Sequence, residues 1–444
     1  MTAFDSPYHN YITNVEKITS RGEGLLNNIQ SALAKKSNSQ LSDNDKEVLQ
    51  ITSRSLNRRF RGHEAANLVG VTTAAIYTAE KDGKLPPPKL KENAAGVRNV
   101  RAGYTLSELN HMREVFGTLP HKADDESAVT LGFLNLKGGA WKTTLALLFG
   151  QHLATLGYRV LFVDTDPQGT LSFFMGCRPD TDCDYSDTIA PYVVGDEETI
   201  NEKGFEFGSL HYAIRNTHWP NIDLIPGSLS ISSIDMQLPH LISAASTIEE
   251  KQYYFQLIRN GIESVKKDYD VVIVDGTPSL NTLTMNVFSA CDVAIVPCPA
   301  QMADFASTMQ FFNTIGETVQ FYEEGNFSIP VPDIRVLITK FATAGYADWM
   351  AKIIRQTFGD LTLHNVVKKT DEVGKKGTKM TTIYEEDLKE ASNRKGIKSA
   401  LDMYEKPFNE ILTDVIFPFW PSKSKENIKE QSSIAKTLET EGVL

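Results

Sequence analysis

The spacing of apolar positions changes near residue 129 and divides the chain there. Before that point apolar residues recur every three or four positions. Ile12, Val15, Ile18, Leu25, Leu26, Ile29 and Leu33 share one helical face, which predicts a long helix over residues 10–36. A Ser-, Asn- and Asp-rich stretch over 36–45 ends it. Such a stripe has to be buried somewhere, either against a partner copy or against its own domain. A small helical domain is predicted over 48–118, and the segment 121–127, with its Ala123-Asp124-Asp125-Glu126 run, reads as a hinge.

Beyond 129 the pattern is one of short β-rich runs separated by helical ones. The runs at 129–136, 159–164, 222–225, 271–275, 293–297 and 335–339 predict strands. Their alternation with helices predicts an α/β domain with a mostly parallel sheet built from right-handed βαβ units. From about residue 422 the chain turns polar, and a frayed end is expected. No apolar run approaches the roughly 18 residues of a bilayer span. Met1-Thr2-Ala3-Phe4-Asp5 has no basic stretch leading into an apolar one, so a cytoplasmic protein with no membrane partner is expected.

Composition adds little to this picture. With 444 residues, 41% of them hydrophobic and 23% charged, two or three globular domains with a large core are expected. Cys177, Cys183, Cys291 and Cys298 are too few and too poorly spaced for a zinc ribbon or a disulfide framework. Charge adds more. The net charge of -11 argues against a general nucleic-acid coat, yet residues 54–101 hold ten Lys/Arg against four acids. That local excess of +6 leaves -17 for the rest, the outline of a single DNA-facing module.

The most informative string is Asn135-Leu136-Lys137-Gly138-Gly139-Ala140-Trp141-Lys142-Thr143-Thr144, which follows a predicted strand and opens a predicted helix. Strand, glycine loop and helix N-terminus together direct main-chain N–H groups and a positive dipole end at one point, where phosphate binds. Gly138 and Gly139 allow close approach, Lys142 supplies a point charge to the β- and γ-phosphates, and Thr143 offers a hydroxyl to Mg²⁺. Trp141 stands where a standard Walker A loop has glycine. The spare Lys137 instead fits the pattern Lys-Gly-Gly-x-x-Lys-Thr and implies a cation delivered across a dimer interface.

Two strand ends supply carboxylates. Val163-Asp164-Thr165-Asp166-Pro167-Gln168-Gly169 puts Asp166 in place to polarise the attacking water, with Asp164 either supporting it from behind or linked to Mg²⁺. Val271-Val272-Ile273-Val274-Asp275 is an apolar strand ending in an acid, the Walker B arrangement, with Asp275 near Mg²⁺. In the basic island, Ala66, Gly70 and Ile76 have helix-turn-helix spacing. Thr72, Thr73 and Tyr77 then face the major groove, while Arg58, Arg59, Arg61 and Lys81 contact phosphates. Lys84 and the prolines after it begin a wing that runs to Arg101. A second basic stretch, from Lys368 to Lys398, is interleaved with acids and reads either as a further DNA contact or as a solvated face.

With these pieces placed, the chain resembles the type Ia ParA partition ATPases of large plasmids. The matching strings are Phe60-Arg-Gly-His-Glu-Ala-Ala-Asn-Leu-Val-Gly-Val, Gly103-Tyr-Thr, the motif from Lys137 to Thr143, Asp166-Pro-Gln-Gly, Leu337-Ile-Thr-Lys340 and Asn365-Val-Val-Lys-Lys-Thr-Asp-Glu-Val-Gly374. The likeness runs from about residue 48 to 420. It implies a dimerising helix with linker over 1–46, a MerR-like winged helix-turn-helix over 47–122, a deviant-Walker ATPase domain over 123–421 and a polar tail over 422–444. It also implies ATP/ADP and Mg²⁺ as cofactors, a homodimer that binds nucleoid DNA in its ATP state, and repression of the partition operon through operator DNA. A ParB-type centromere-binding partner would stimulate slow hydrolysis in a nucleoid-associated protein. On this resemblance Lys137 is the signature lysine, Asp166 the hydrolysis aspartate, and Thr143, Asp166 and Asp275 the magnesium set. Lys340 and Val367, in the 366–373 loop, lie where the base is held.

Three other readings differ in class. A nucleotide-responsive repressor with vestigial hydrolysis would share every motif, although Asp166 is intact. A MinD-like membrane ATPase needs a basic amphipathic C-terminal helix, which the mixed Lys/Glu pattern of 426–444 does not supply. A cluster carrier of the nitrogenase-iron-protein type needs an axial cysteine pair, and the four scattered cysteines offer none.

Overall fold

The computed structural model describes residues 54–91, 100–326, 328–342 and 345–423, together with Lys17, Ser20 and Arg21. The chain divides into two units, Met1–Ser55 and Leu56–Leu444. Of the first, Lys17, Ser20 and Arg21 are helical and exposed, and the rest of the expected 10–36 helix lies outside the described residues, as does the tail from 424.

In the second unit, α1 (Gly62–Val69) and α2 (Thr73–Lys81) are joined at Gly70. Gly70 closes α1 in the left-handed region (φ 80°) and Thr72 caps α2 by accepting the Ala75 N–H, so local chemistry sets both ends of the turn. Strands β1 (Leu90–Lys91) and β2 (Val100–Arg101) pair antiparallel, and α3 (Leu106–Phe116) opens with a Thr105/Glu108 capping box. Phe60, Ala66, Ile76, Leu85, Leu109 and Met112 are buried together beneath these elements.

The rest is a seven-stranded sheet. Its strands are β3 (Val129–Phe133), β4 (Val160–Asp164), β5 (Arg215–Asn216), β6 (Ile222–Ile225), β7 (Val271–Asp275), β8 (Val293–Pro299) and β9 (Asp333–Thr339), in the order β5-β6-β4-β7-β3-β8-β9. All neighbours are parallel except β5, which runs antiparallel to β6. All six predicted strands are present. The polar pair Arg215–Asn216 was not predicted, since two residues on a sheet edge leave no apolar pattern to read. β3 stops at Phe133 rather than 136, because Asn135 and Lys137 already belong to the loop. Successive side chains point to opposite faces of the sheet. Val160 and Phe162 join one buried cluster with α4 (Lys142–Leu156) and α5 (Arg394–Glu410); Leu161 and Val163 join another, under residues 257–265 and 282–290. The sheet is therefore covered on both faces, which explains its near-continuous apolar strands.

Buried polar contacts join the N-terminal helices to the sheet domain. Arg113, 1% exposed, donates to the Leu68 carbonyl (3.0 Å), the Thr155 carbonyl (2.8 Å) and Asn110 (2.6 Å), which ties α3 to α1 and α4; burial pulls its guanidinium down to about 10. The segment read as a hinge is held at both ends. His121 bonds Asp270 (2.8 Å), and the Trp420 indole donates to the Ser127 carbonyl (2.9 Å). Asp270 also accepts from the Arg159 main chain (2.7 Å) and guanidinium (3.0 Å), and these partners outweigh burial and hold its carboxyl at about 2. A carboxyl depressed on folding stabilises the fold above its unfolded value near 3.8, and that stability is lost as pH falls through the folded value. Asp270→Asn should therefore lower unfolding free energy by about 2 kcal/mol at pH 7, with the gap narrowing toward pH 3 in urea titrations. A pH-independent gap would show that charge is not what Asp270 contributes.

Candidate functional site

The C-terminal edges of β4, β7 and β3 lie side by side, with Asp164 in register with Asp275 and Asp275 with Phe133. The loop after β3 folds over this edge and enters α4. Gly139 (φ 73°) and Trp141 (φ 72°) are both left-handed. For tryptophan that costs about 1–2 kcal/mol, and strain of this kind gathers at functional sites. Trp141 contributes no side-chain cap, so the first N–H groups of α4 are left for another acceptor. A Cβ on Gly138 would meet nothing within 4 Å. Packing within the protein thus places no demand for glycine there, and the space above the loop is open to a ligand.

Inside the loop Lys142 is buried, 6% exposed, and its ammonium donates to the Lys137 carbonyl (3.3 Å). Burial lowers its pKa, while Asp275 and Asp166 act in the opposite direction. Asp164 accepts from the Ser172 hydroxyl (2.6 Å) and N–H (2.9 Å) and from the Asp166 N–H (3.2 Å); even so, burial raises it to about 6. The Asp166 carboxylate accepts from the Gln168 N–H (2.9 Å). Gly227 lies so close that a Cβ would sit 2.8 Å from the Asp164 carboxyl carbon, so no larger residue fits there.

Asp275 is the unusual group. It is fully buried, and neither carboxylate oxygen has a hydrogen-bond partner among the described residues. Burial first and the nearby Asp164 next push its pKa well up; the Thr143 hydroxyl, short of bonding geometry, and Lys142 oppose this only in part. Two orphaned oxygens near two further carboxylates, Asp164 and Asp166, and a hydroxyl suit a hard divalent cation. No group of three His, Cys, Asp or Glu among the described residues could hold a metal alone. The donor set therefore fits Mg²⁺ carried in with phosphate oxygens.

Lys137 does not face this centre: its ammonium is paired with Asp304 of its own chain. Lys340, left-handed at φ 50°, donates to the Gly139 carbonyl (2.6 Å) and lies 5.9 Å from the Trp141 ring centre. Ala140 is buried, and Thr143 and Thr144 are half-buried. Val367 is corrected. It is fully buried, and its carbonyl accepts from the Phe341 N–H (3.1 Å), so its side chain serves the core and is not open to a base.

The expected DNA side also needs correction. Arg58 is 5% exposed and donates to Glu64 (2.8 Å) and the Tyr384 carbonyl (3.1 Å), so it is an internal pin out of reach of any phosphate. Arg59 and Arg61 each direct part of the guanidinium fork inward, to the carbonyls of Gly103 (3.1 Å) and Ala102 (3.0 Å). Thr72, Tyr77, Lys81 and Lys84 are exposed and Thr73 half-buried. Arg101, at the expected end of the wing, lies 4.0 Å over the Tyr77 ring and pairs with Glu80 (2.6 Å). In the later basic stretch Lys375 pairs with Glu372 (2.9 Å) and Lys376 with Glu386 (2.5 Å). Ser172, Gly227, Asp304 and Arg101 carried no local sequence signal, since each matters through contacts between separate elements.

Residues 128–329 match a family model described as an AAA domain. The chain is 37% identical over 371 residues to Protein SopA of Escherichia coli K12, a match covering 83% of this chain and 91% of that protein. It is 29% identical over 185 residues to the sporulation initiation inhibitor protein Soj of Bacillus subtilis, covering 42% and 64% respectively. Among solved structures, one described as a partition protein superposes with a TM-score of 0.56 over 89% of this chain and 99% of that one, at 18% identity, and so shares the fold. No helix among the described residues is long and apolar enough to cross a membrane.

Proposed function

The chain belongs to the ParA family of plasmid partition ATPases, like SopA, and from that premise we propose that residues 137–144 bind Mg-ATP in a homodimer that moves and silences plasmid DNA. The observation carrying this reading is Asp275, buried beside Lys142 at the glycine loop with no hydrogen-bond partner among the described residues. A carboxylate left in that state is costly unless a ligand completes it.

In this reading the amides at the start of α4 and Lys142 grip the β- and γ-phosphates, and Thr143 and Asp275 hold the metal side. Mg²⁺, when bound, neutralises phosphate charge and orients the γ-phosphoryl group. Asp166 orients the attacking water, and Asp164, fixed by Ser172, positions the Asp166 main chain. Lys137 reaches the γ-phosphate of the partner subunit. Lys340 braces the loop through Gly139. Residues 47–122 serve as the DNA module and 123–421 as the ATPase. The ATP-state dimer binds nucleoid DNA without sequence preference, operator binding represses the partition operon, and a ParB-type protein stimulates hydrolysis.

The direct test is ATP turnover measured alone, with DNA, and with DNA plus the protein encoded immediately downstream. Slow turnover that rises in the full mixture is expected. Background turnover in all three would overturn the reading. For the DNA module, Lys81→Ala should weaken operator binding and reduce the log-log salt slope by about one unit, as for one lost phosphate contact. Arg58→Ala should leave that slope unchanged and lower thermal stability, since its guanidinium is occupied by Glu64 and Tyr384. Equal slope changes in both variants would contradict this division.

A further inference from the structure

Both lysines of the phosphate loop are held on protein acceptors, Lys142 on the Lys137 carbonyl and Lys137 on Asp304. The second contact is built with care. Asp304 lies in the first turn of the helix Met302–Glu324 and is buried, 5% exposed. The Asn135 side chain accepts the Lys137 N–H (3.0 Å) and donates to Thr308 (3.2 Å) and the Pro297 carbonyl (2.8 Å). Thr308 in turn donates to the Asp304 carbonyl (2.9 Å). Asn135 thus rivets the head of the loop to the helix that carries Asp304, and Lys137 is presented to this carboxylate by a rigid frame.

We propose that Asp304 is a positioning residue that competes with the γ-phosphate for Lys137 and so makes engagement of this lysine depend on a triphosphate. The proposal rests on the reading above, in which Lys137 serves a nucleotide. In the free chain the Lys137–Asp304 pair neutralises itself. Withdrawing Lys137 leaves a buried carboxylate facing no cation, a cost that an incoming ligand has to offset. In the ATP-state dimer the γ-phosphate bound by the partner subunit adds enough negative charge to draw the lysine away, whereas ADP has no group at that position. The helix N-terminus favours the carboxylate that stays behind, so the exchange is reversible. Asp304 would then set a threshold for triphosphate and take no part in bond making or breaking.

The test is a double-mutant cycle on the full-length protein with Mg²⁺, reading the affinities of fluorescent ADP and of a fluorescent non-hydrolysable imido analogue of ATP. Asp304→Asn should raise the preference for the triphosphate analogue over ADP by about tenfold, as expected for release of one charge pair. In a Lys137→Ala background the same change should do nothing, because the cycle isolates the pair. Asp304→Glu, which keeps the charge, should retain wild-type preference. Asp304→Ser is a second charge-free variant, with thermal melting to verify that each variant folds. A purely structural role for Asp304 would shift both affinities together and would not depend on Lys137; that result overturns the proposal. If Lys137→Ala lowers triphosphate preference while Asp304→Asn leaves it unmoved, the competition fails and the nucleotide reading stands. If Lys137→Ala itself changes neither preference nor turnover, the nucleotide role of Lys137 falls, and this inference with it.

Discussion

Lys142→Ala is expected to reduce ATP turnover by about 10³-fold or more, the largest functional effect of any single change in this chain. The reason is positional. Lys142 is the buried cation of the loop, and Asp275 and Asp166 are the acids that act on it. Its charge is worth far more in that setting than at the surface, because little water screens it. No neighbour replaces it on the proposed reading: Lys137 serves Asp304 in the free chain and the partner subunit's nucleotide in the ATP state, and Lys340 donates to the Gly139 carbonyl. A phosphate-release assay at saturating ATP measures the loss, and turnover within tenfold of the parent would remove Lys142 from the phosphate grip. Lys142→Arg should not rescue it, since the buried slot fits an ammonium and the guanidinium is larger and planar.

Asp275→Asn should move two observables in opposite directions. Turnover at millimolar Mg²⁺ is expected to fall by about 10²-fold or more, because an amide is a poor partner for a hard cation. The nucleotide-free protein should at the same time melt at a higher temperature near neutral pH. Asp275 is fully buried, its oxygens have no hydrogen-bond partner among the described residues, and burial together with the Asp164 charge holds its pKa well up. A carboxyl whose pKa is raised on folding contributes stability that is fully present below its unfolded value and is lost as pH rises through the folded one. Asp164, raised to about 6, follows the same sign. The free parent should therefore melt progressively higher as pH is lowered from 8 toward 5, and Asp275→Asn should flatten that trend. Added Mg-ATP should stabilise the parent by about 2.7 kcal/mol at a hundredfold excess over its dissociation constant, and the variant much less. A variant that melts lower at pH 7 and still hydrolyses ATP would show that Asp275 is an ordinary core acid.

On the proposed reading the charge cluster at the sheet edge would cost the free protein stability and be completed when Mg-ATP binds.

Much of this was legible in the sequence. The strand ends at Asp164 and Asp275 were marked by apolar runs stopping at an acid, and Lys142 and Thr143 by the loop that opens α4. Gly70 was legible for a local reason, as the glycine of the turn between two helices, and it is left-handed; Thr72, read as groove-facing, also caps α2. Arg58 was misread because a basic island suggests surface charge, whereas folding brought Tyr384 and Glu64 to it. Val367 was misread because matching a motif places a residue in a loop without saying which way its side chain turns. Ser172, Gly227 and Asp304 could not be found at all, since nothing near them in the chain refers to Asp164 or Lys137.

By itself the sequence determined the order of strand, loop and helix, the cationic glycine loop and the acids that end two strands, because periodicity and short-range turn chemistry are local properties. Tertiary structure alone decided which charges are satisfied and which are not. The order β4-β7-β3 sets Asp164 beside Asp275, and the helix after β8 brings Asp304 to Lys137. Burial and pairing depend on neighbours distant in the chain, and their energies are set by the removal of water when those neighbours meet.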